Sequence, residues 1–289
     1  MKCSFSFKRA VRFGFTEYSR WVGNPRTILI LIEVIFIWSF AVEPLKTIIA
    51  AMNYPLNAAE PILAVFNSKA LSLVIPTVFF VLIADIPLTG NEDLFFVHRI
   101  SKKEWLIGQI LFCFFAAISY LTVITLITIL PLVNNIYVNN EWSPAITRYA
   151  AYYPDRASSF EADLISSRLY SQISPLNAGV HSVLLNALFI ISIPLMLLLF
   201  YTCRARKAGN AFVAALIGTG AALCAADVPA MWGFPSAHTL LYLHFNSYIR
   251  KVNMEIGSSY LYFAILDIAL VIVLFIRLNK TDMLRTEEG

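Results

Sequence analysis

Residues 105–133 read WLIGQILFCFFAAISYLTVITLITILPLV. This stretch carries no charged side chain and exceeds the roughly 20 residues that an α-helix needs to cross a hydrocarbon core. Working outward from it, five more apolar blocks stand out: Thr27–Val42, extended to Ala51, then Ala70–Leu88, Val180–Tyr201, Ala211–Ala226 and Ser259–Leu278. Charged residues make up only 14% of the chain and hydrophobic ones 58%, whereas a soluble domain carries roughly 25% charge. A soluble fold would therefore lack the polar surface to cover itself. The expected fold is all-α: a polytopic membrane protein of six transmembrane helices with an N-terminal amphipathic interfacial helix.

The basic residues orient these spans. With the N-terminus inside, fifteen of the 22 Lys and Arg fall in the shorter inner pieces, and every inner piece is basic. Among them are Lys8, Arg9, Arg12, Arg20 and Arg26, then Arg99, Lys102 and Lys103, then Arg204, Arg206 and Lys207. The positive-inside rule then places both N and C termini on the cytoplasmic side. The expected organisation is an interfacial helix within 1–26 and a single six-span domain over 27–289. Outer loops are expected at about 43–69, 134–179 and 228–258, and an inner loop at about 89–104. A plasma membrane location, of bacterial type, is the natural setting. The N-terminus lacks the pattern of a cleavable signal, because its first apolar block starts late and no small-residue cleavage site follows it.

Before the first span, Phe7, Ala10, Val11, Gly14, Phe15, Tyr18, Trp21 and Val22 fall within about 140° of a helical wheel. Lys8, Arg9, Arg12, Thr16, Ser19 and Arg20 occupy the other side, while Phe5 and Phe13 depart from the pattern. A basic helix with an aromatic face is suited to lying in the membrane plane. The outer stretch 134–179 is rich in Tyr and Trp, and a helix is expected there from Asp155 to Tyr170.

Three acidic residues fall inside spans and become functional candidates by position: Glu33, Asp85 and Asp267. The structural alternative is that each pairs with a neighbour. Cys3, Cys113, Cys203 and Cys224 are scattered, with no metal-ligand or disulfide spacing. Pro235-Ser236-Ala237-His238 is close to the Pro-Ser-Gly-His of membrane-bound phosphatidic acid phosphatases, but the Arg-Pro and distal His motifs that complete that chemistry are missing. The chain contains no P-loop, HExxH or GxSxG motif. No catalytic, cofactor-binding or metal site is therefore expected in it, and no nucleic-acid partner.

The remaining signal lies between the second and third blocks. Gly90-Asn91-Glu92-Asp93-Leu94-Phe95-Phe96-Val97-His98-Arg99 leads into Ile100-Ser101-Lys102-Lys103-Glu104-Trp105-Leu106-Ile107-Gly108-Gln109. An acidic start, two Phe, an Arg, a basic turn and Trp-Leu-Ile-Gly-Gln entering a span resemble the ABC type 2 permease family. That resemblance implies a permease subunit of an ATP-driven exporter, dimeric with itself or a sister permease subunit. A separate ABC ATPase chain would bind the ATP and Mg and energise it. It also implies that Phe95, Phe96, Arg99, Ser101, Lys102, Lys103, Glu104 and Trp105 form the coupling element that meets the ATPase. An amphiphilic or peptide-like substrate moved outward fits the aromatic, weakly charged spans. The competing readings are a membrane-embedded enzyme, such as a lipid phosphatase or intramembrane protease, and a non-transporting membrane sensor or assembly protein.

Overall fold

The structure, a computed structural model, describes residues 5–87, 100–246 and 252–278. Of the described residues, 77% are helical. The described helices that organise it are α1 (Phe7–Val22), α2 (Leu29–Ile37), α3 (Glu43–Met52), α4 (Ala59–Phe66), α5 (Leu71–Ile83), α6 (Lys102–Ile129), α7 (Pro175–Thr202), α8 (Arg206–Ala225) and α9 (Ile256–Leu278). A π-helical turn, Trp38–Val42, joins α2 to α3 without a break, so one helical rod runs over Pro25–Met52. Asn53, at φ 48°, ends it in the left-handed conformation that Asn tolerates.

Among the described residues, five helices are long and apolar enough to cross a membrane: Pro25–Met52, Lys102–Asn135, Pro175–Thr202, Arg206–Ala225 and Ile256–Leu278. The pair α4 and α5 makes a sixth if it counts as one broken span, bent by 77°. The protein is thus an all-α membrane protein with five to six candidate spans. α7 is the centre of the bundle, with 67% of its apolar window buried, and α9 lies at the periphery, with 22% buried.

Two expectations are corrected. The stretch 43–69, expected as an outer loop apart from the extension of the first span to Ala51, holds two helices: α3 continues the first span as that extension anticipated, and α4 sits almost wholly buried beside α7. The helix expected over Asp155–Tyr170 is absent. A 3-10 turn at Pro154–Arg156 and a short helix at Ser167–Tyr170 stand there instead.

Buried polar side chains hold the irregular backbone together. Glu60 is fully buried and accepts hydrogen bonds from the backbone amides of Asn57 (2.9 Å) and Ser143 (2.7 Å). It thereby secures the small parallel pair β1 (Leu56–Asn57) and β2 (Ile136–Tyr137), in which Leu56 faces Ile136. At the bend between α4 and α5, Asn67 Nδ2 donates to Ser182 Oγ (3.0 Å), and Asn67 Oδ1 accepts from the Leu241 amide (2.7 Å). Non-helical backbone inside an apolar bundle persists only where protein groups satisfy it in this way.

Candidate functional site

The candidate coupling element divides into two parts. Phe95, Phe96 and Arg99 lie outside the described residues. Ser101 through Trp105 form the start of α6. Ser101 is the N-cap of a complete capping box: its hydroxyl accepts from the Glu104 amide (3.3 Å), and Glu104 Oε2 accepts from the Ser101 amide (2.7 Å). This is the arrangement that S-x-x-E sequences favour, because it satisfies two orphan amides at once.

Glu104 has a second role. Its side chain is fully buried, and Oε1 accepts from the Ser6 amide (2.6 Å), Arg9 Nε (2.9 Å) and Arg9 Nη2 (2.7 Å). The start of α6 is therefore tied to the first turn of α1 by a charge-assisted bond set. Trp105, 8% exposed, packs against Tyr201 of α7 with ring centroids 6.3 Å apart. Glu104 and Trp105 thus face inward, while Lys102 and Lys103 are exposed.

α1 lies along α6 through a face that shares Ala10, Gly14 and Trp21 with the apolar arc of the helical wheel and adds Phe13 and Glu17. Ala10, Phe13, Gly14, Glu17 and Trp21 are buried, at the i, i+3, i+4, i+7 spacing of one helix face. Trp21 Nε1 donates to the Leu82 carbonyl at the end of α5 (3.0 Å). Phe13, which departed from the apolar arc, packs over Gly108. Phe7 and Phe15, each 60% exposed, and Val22, 49% exposed, form a second, exposed apolar stripe.

All three intramembrane acids have partners, which favours the pairing alternative for each. Glu33 is 1% exposed, and the Tyr120 hydroxyl lies 2.6 Å from its Oε1 and 2.7 Å from the Ile75 carbonyl. That phenol joins α2, α5 and α6. Asp267 accepts from Ser192 Oγ of α7 (2.7 Å). Asp85, just past α5, forms an ion pair with Arg26 and lies 3.6 Å from Arg206. It is 45% exposed, so this pairing contributes little stability of its own. Asp85 does gather the ends of three apolar segments at one side of the bundle.

Sequence reading passed over a buried cluster between α8 and α9. His238, His244 and Ser259 are 2%, 0% and 0% exposed. His238 Nε2–H donates to the Trp232 carbonyl (3.0 Å), which leaves Nδ1 to accept the Ser259 hydroxyl (2.8 Å). Ser259 Oγ then accepts from His244 Nε2–H (2.8 Å). With both imidazoles neutral, one hydrogen per ring and one hydroxyl hydrogen satisfy these three contacts, and His244 Nδ1, 3.3 Å from the Leu240 carbonyl, then carries no hydrogen. Burial pushes the His244 imidazole down to about 4, and it lowers His238 as well. Tyr262 stacks on His238 at 4.0 Å, and Trp232 packs edge-on against both imidazoles. Both ring nitrogens of His238 are already engaged within the protein, so the Pro235–His238 motif pins the short helices between α8 and α9 to the start of α9. Among the described residues no group of His, Cys, Asp and Glu is placed to hold a metal ion.

Compared with protein-family models, curated proteins and solved structures, the chain matches none, so the resemblance of 90–109 to ABC type 2 permeases stands on those residues alone.

Proposed function

We propose that this protein is the membrane-spanning permease subunit of an ATP-driven ABC exporter. In this reading it crosses the bilayer six times, α4 and α5 together forming the second crossing, with both termini in the cytoplasm. A separate ATPase chain binds ATP and Mg and pushes on the loop ending at Ser101. The permease pairs with a second copy or a sister subunit.

The observation that carries the reading is the linkage at the start of α6. Coupling requires that a partner's contact be different in two states of the permease, and it requires a stiff route from that contact into the spans. Ser101–Trp105 supplies such a route: Glu104 joins it to α1, Trp105 joins it to α7, and α6 continues from it as one uninterrupted helix. In this division of labour Glu104 and Trp105 are internal supports. The exposed Lys102 and Lys103, with Phe95, Phe96 and Arg99, make the contact itself.

The test is purification in mild detergent from the native host, followed by identification of co-purifying chains and assay of ATP hydrolysis. An ABC ATPase is expected with the wild-type chain. Phe96→Ala and Arg99→Ala should each weaken its retention about tenfold or more while leaving membrane insertion unchanged. Purification of the intact chain with no ATPase, or full retention and hydrolysis in both variants, would overturn the reading.

A further inference from the structure

The bend between α4 and α5 opens onto a cavity of about 510 Å³. Its walls come from four separate parts of the chain: the bend itself at 67–70, the stretch 158–168, the end of α8 with Asp227 just beyond it, and residues 242–243. This volume lies within the range of small-molecule sites, which run from roughly 300 to 1,000 Å³.

Two cations and two carboxylates stand in the wall: Lys69, Arg168, Asp163 and Asp227. Arg168 and Asp227 approach each other at 3.5 Å. Lys69 and Asp163 have no ion-pair partner among the described residues, and the Lys69 ammonium lies 5.9 Å from the Tyr242 ring. Tyr242 is 6% exposed, yet its buried hydroxyl, in the same wall, has no hydrogen-bond partner. Burial, reinforced by Cys224 and Asp227, pushes that phenol up, so it keeps its hydrogen and serves as a donor. Ser68 and Ser166 accept backbone amides and each retains a hydroxyl hydrogen to give. A buried donor without an acceptor is costly, and native proteins rarely retain one without reason.

We propose that this cavity binds a small zwitterion, with its anionic group at Lys69, its ammonium at Asp163 and a polar acceptor on the Tyr242 hydroxyl. A simple anion would meet two carboxylates, and a simple cation would leave Lys69 uncompensated. An apolar molecule would bury four charges and the phenol without partners. An amino acid or short peptide and a phosphoethanolamine headgroup share the required chemistry. The site does not depend on the exporter reading, since no ATPase contact enters the argument.

The test uses the full chain in detergent micelles and isothermal calorimetry. The probes are alanyl-alanine and glycerophosphoethanolamine, with N-acetyl-alanyl-alanine and alanyl-alanine amide as singly charged controls. At least one zwitterion should bind, and for a peptide both capped forms should bind about tenfold or more weakly. Tighter binding of alanyl-alanine identifies a peptide or amino-acid site, and tighter binding of the phosphoethanolamine identifies a lipid-headgroup site. Lys69→Ala and Asp163→Asn change exposed side chains and should each weaken binding about tenfold. Tyr242→Phe should weaken it without lowering the melting temperature, because the hydroxyl it removes has no partner in the protein. Absence of binding by both zwitterions, capped peptides binding as tightly as alanyl-alanine, or a Lys69→Ala variant with unchanged affinity would overturn the proposal.

Discussion

Gly14 of α1 and Gly108 of α6 lie face to face, so close that a Cβ on Gly14 would come within 2.6 Å of the Gly108 carbonyl oxygen. A Cβ on Gly108 would in turn meet Phe13 Cδ1 at 2.5 Å and the Ala10 carbonyl at 3.0 Å. Two helices approach this closely only where neither carries a side chain. The contact fixes α1 against the bundle at the same end where Glu104 holds Arg9.

That relationship separates packing from helix propensity. Gly→Ala inside a helix ordinarily stabilises by about 1 kcal/mol. Gly14→Ala must instead displace backbone, a fixed neighbour, and overpacking of this kind costs about 1–3 kcal/mol. Gly218 of α8 has nothing within 4 Å of its would-be Cβ. Thermal unfolding in detergent should therefore show Gly14→Ala lowering the midpoint and Gly218→Ala leaving it equal or higher. A midpoint that rises equally in both variants would mean that α1 and α6 do not cross at these glycines.

The Glu104 cluster predicts an asymmetry between its two charged partners. Removing the carboxylate takes away the acceptor shared by the Arg9 guanidinium and the amides of Ser6 and Ser101. Losing these charge-assisted bonds together with half of the capping box costs about 2–4 kcal/mol. Arg9 is 41% exposed, and its loss leaves Glu104 buried but still held by two backbone donors, a smaller cost of about 1–3 kcal/mol. The unfolding midpoint should fall further in Glu104→Ala than in Arg9→Ala, and equal losses would contradict the shared cluster.

Much of this architecture was legible in the sequence, and the misses have physical causes. Long apolar blocks announce spans because a 20-residue requirement is hard to meet by accident. The ends of α6 and α7 moved only by a few residues, since polar caps such as Ser101 extend a helix past its apolar core. The bend at Asn67 carries no apolar periodicity, so nothing local in the sequence marks its polar side chains as buried. Their partners, Ser182 and Leu241, lie more than a hundred residues away. A helical wheel assumes one environment for one face, whereas α1 has two apolar faces, one on α6 and one exposed. The His238–Ser259–His244 cluster had no local signal, because only the packing of α9 brings its members together. Phe95, Phe96 and Arg99 of the proposed coupling loop fall outside the described segments.

The proposed orientation has its own test. Arg26, Asp85 and Arg206 meet at one end of the bundle, while Arg168 pairs with Asp227 at the turn after α8, the opposite end of that helix from Arg206. In the exporter reading the first end is cytoplasmic. On a background with Cys3, Cys113, Cys203 and Cys224 replaced, a cysteine at exposed Asn140 should react with an impermeant maleimide added to intact cells. One at exposed Ala208, beside Arg206, should react only after permeabilisation. External labelling at Ala208 would invert the bundle or remove a span.

The neutral imidazole chain makes stability pH-dependent, and the sign follows from linkage. His244 titrates at about 4 in the folded protein, against about 6.5 when exposed. Between these values the unfolded chain binds the proton and the folded chain does not, so stability is present above pH 6.5 and lost as pH falls toward 4. His238, also lowered by burial, acts in the same direction. For His244 alone the full span is worth up to about 3 kcal/mol. Adding the proton puts charge among buried neighbours, including His238 and His181, which both disfavour it. Only the Leu240 carbonyl, 3.3 Å from Nδ1, is placed to accept the new hydrogen. Thermal unfolding in detergent between pH 7.5 and 4.5 should show a falling midpoint for the wild type. His244→Gln preserves a donor toward Ser259 but has no proton to gain, so its midpoint should depend less steeply on pH, even if it starts lower. A variant that keeps the full wild-type slope would place the titrating groups elsewhere and leave the His238–Ser259–His244 chain as ordinary packing.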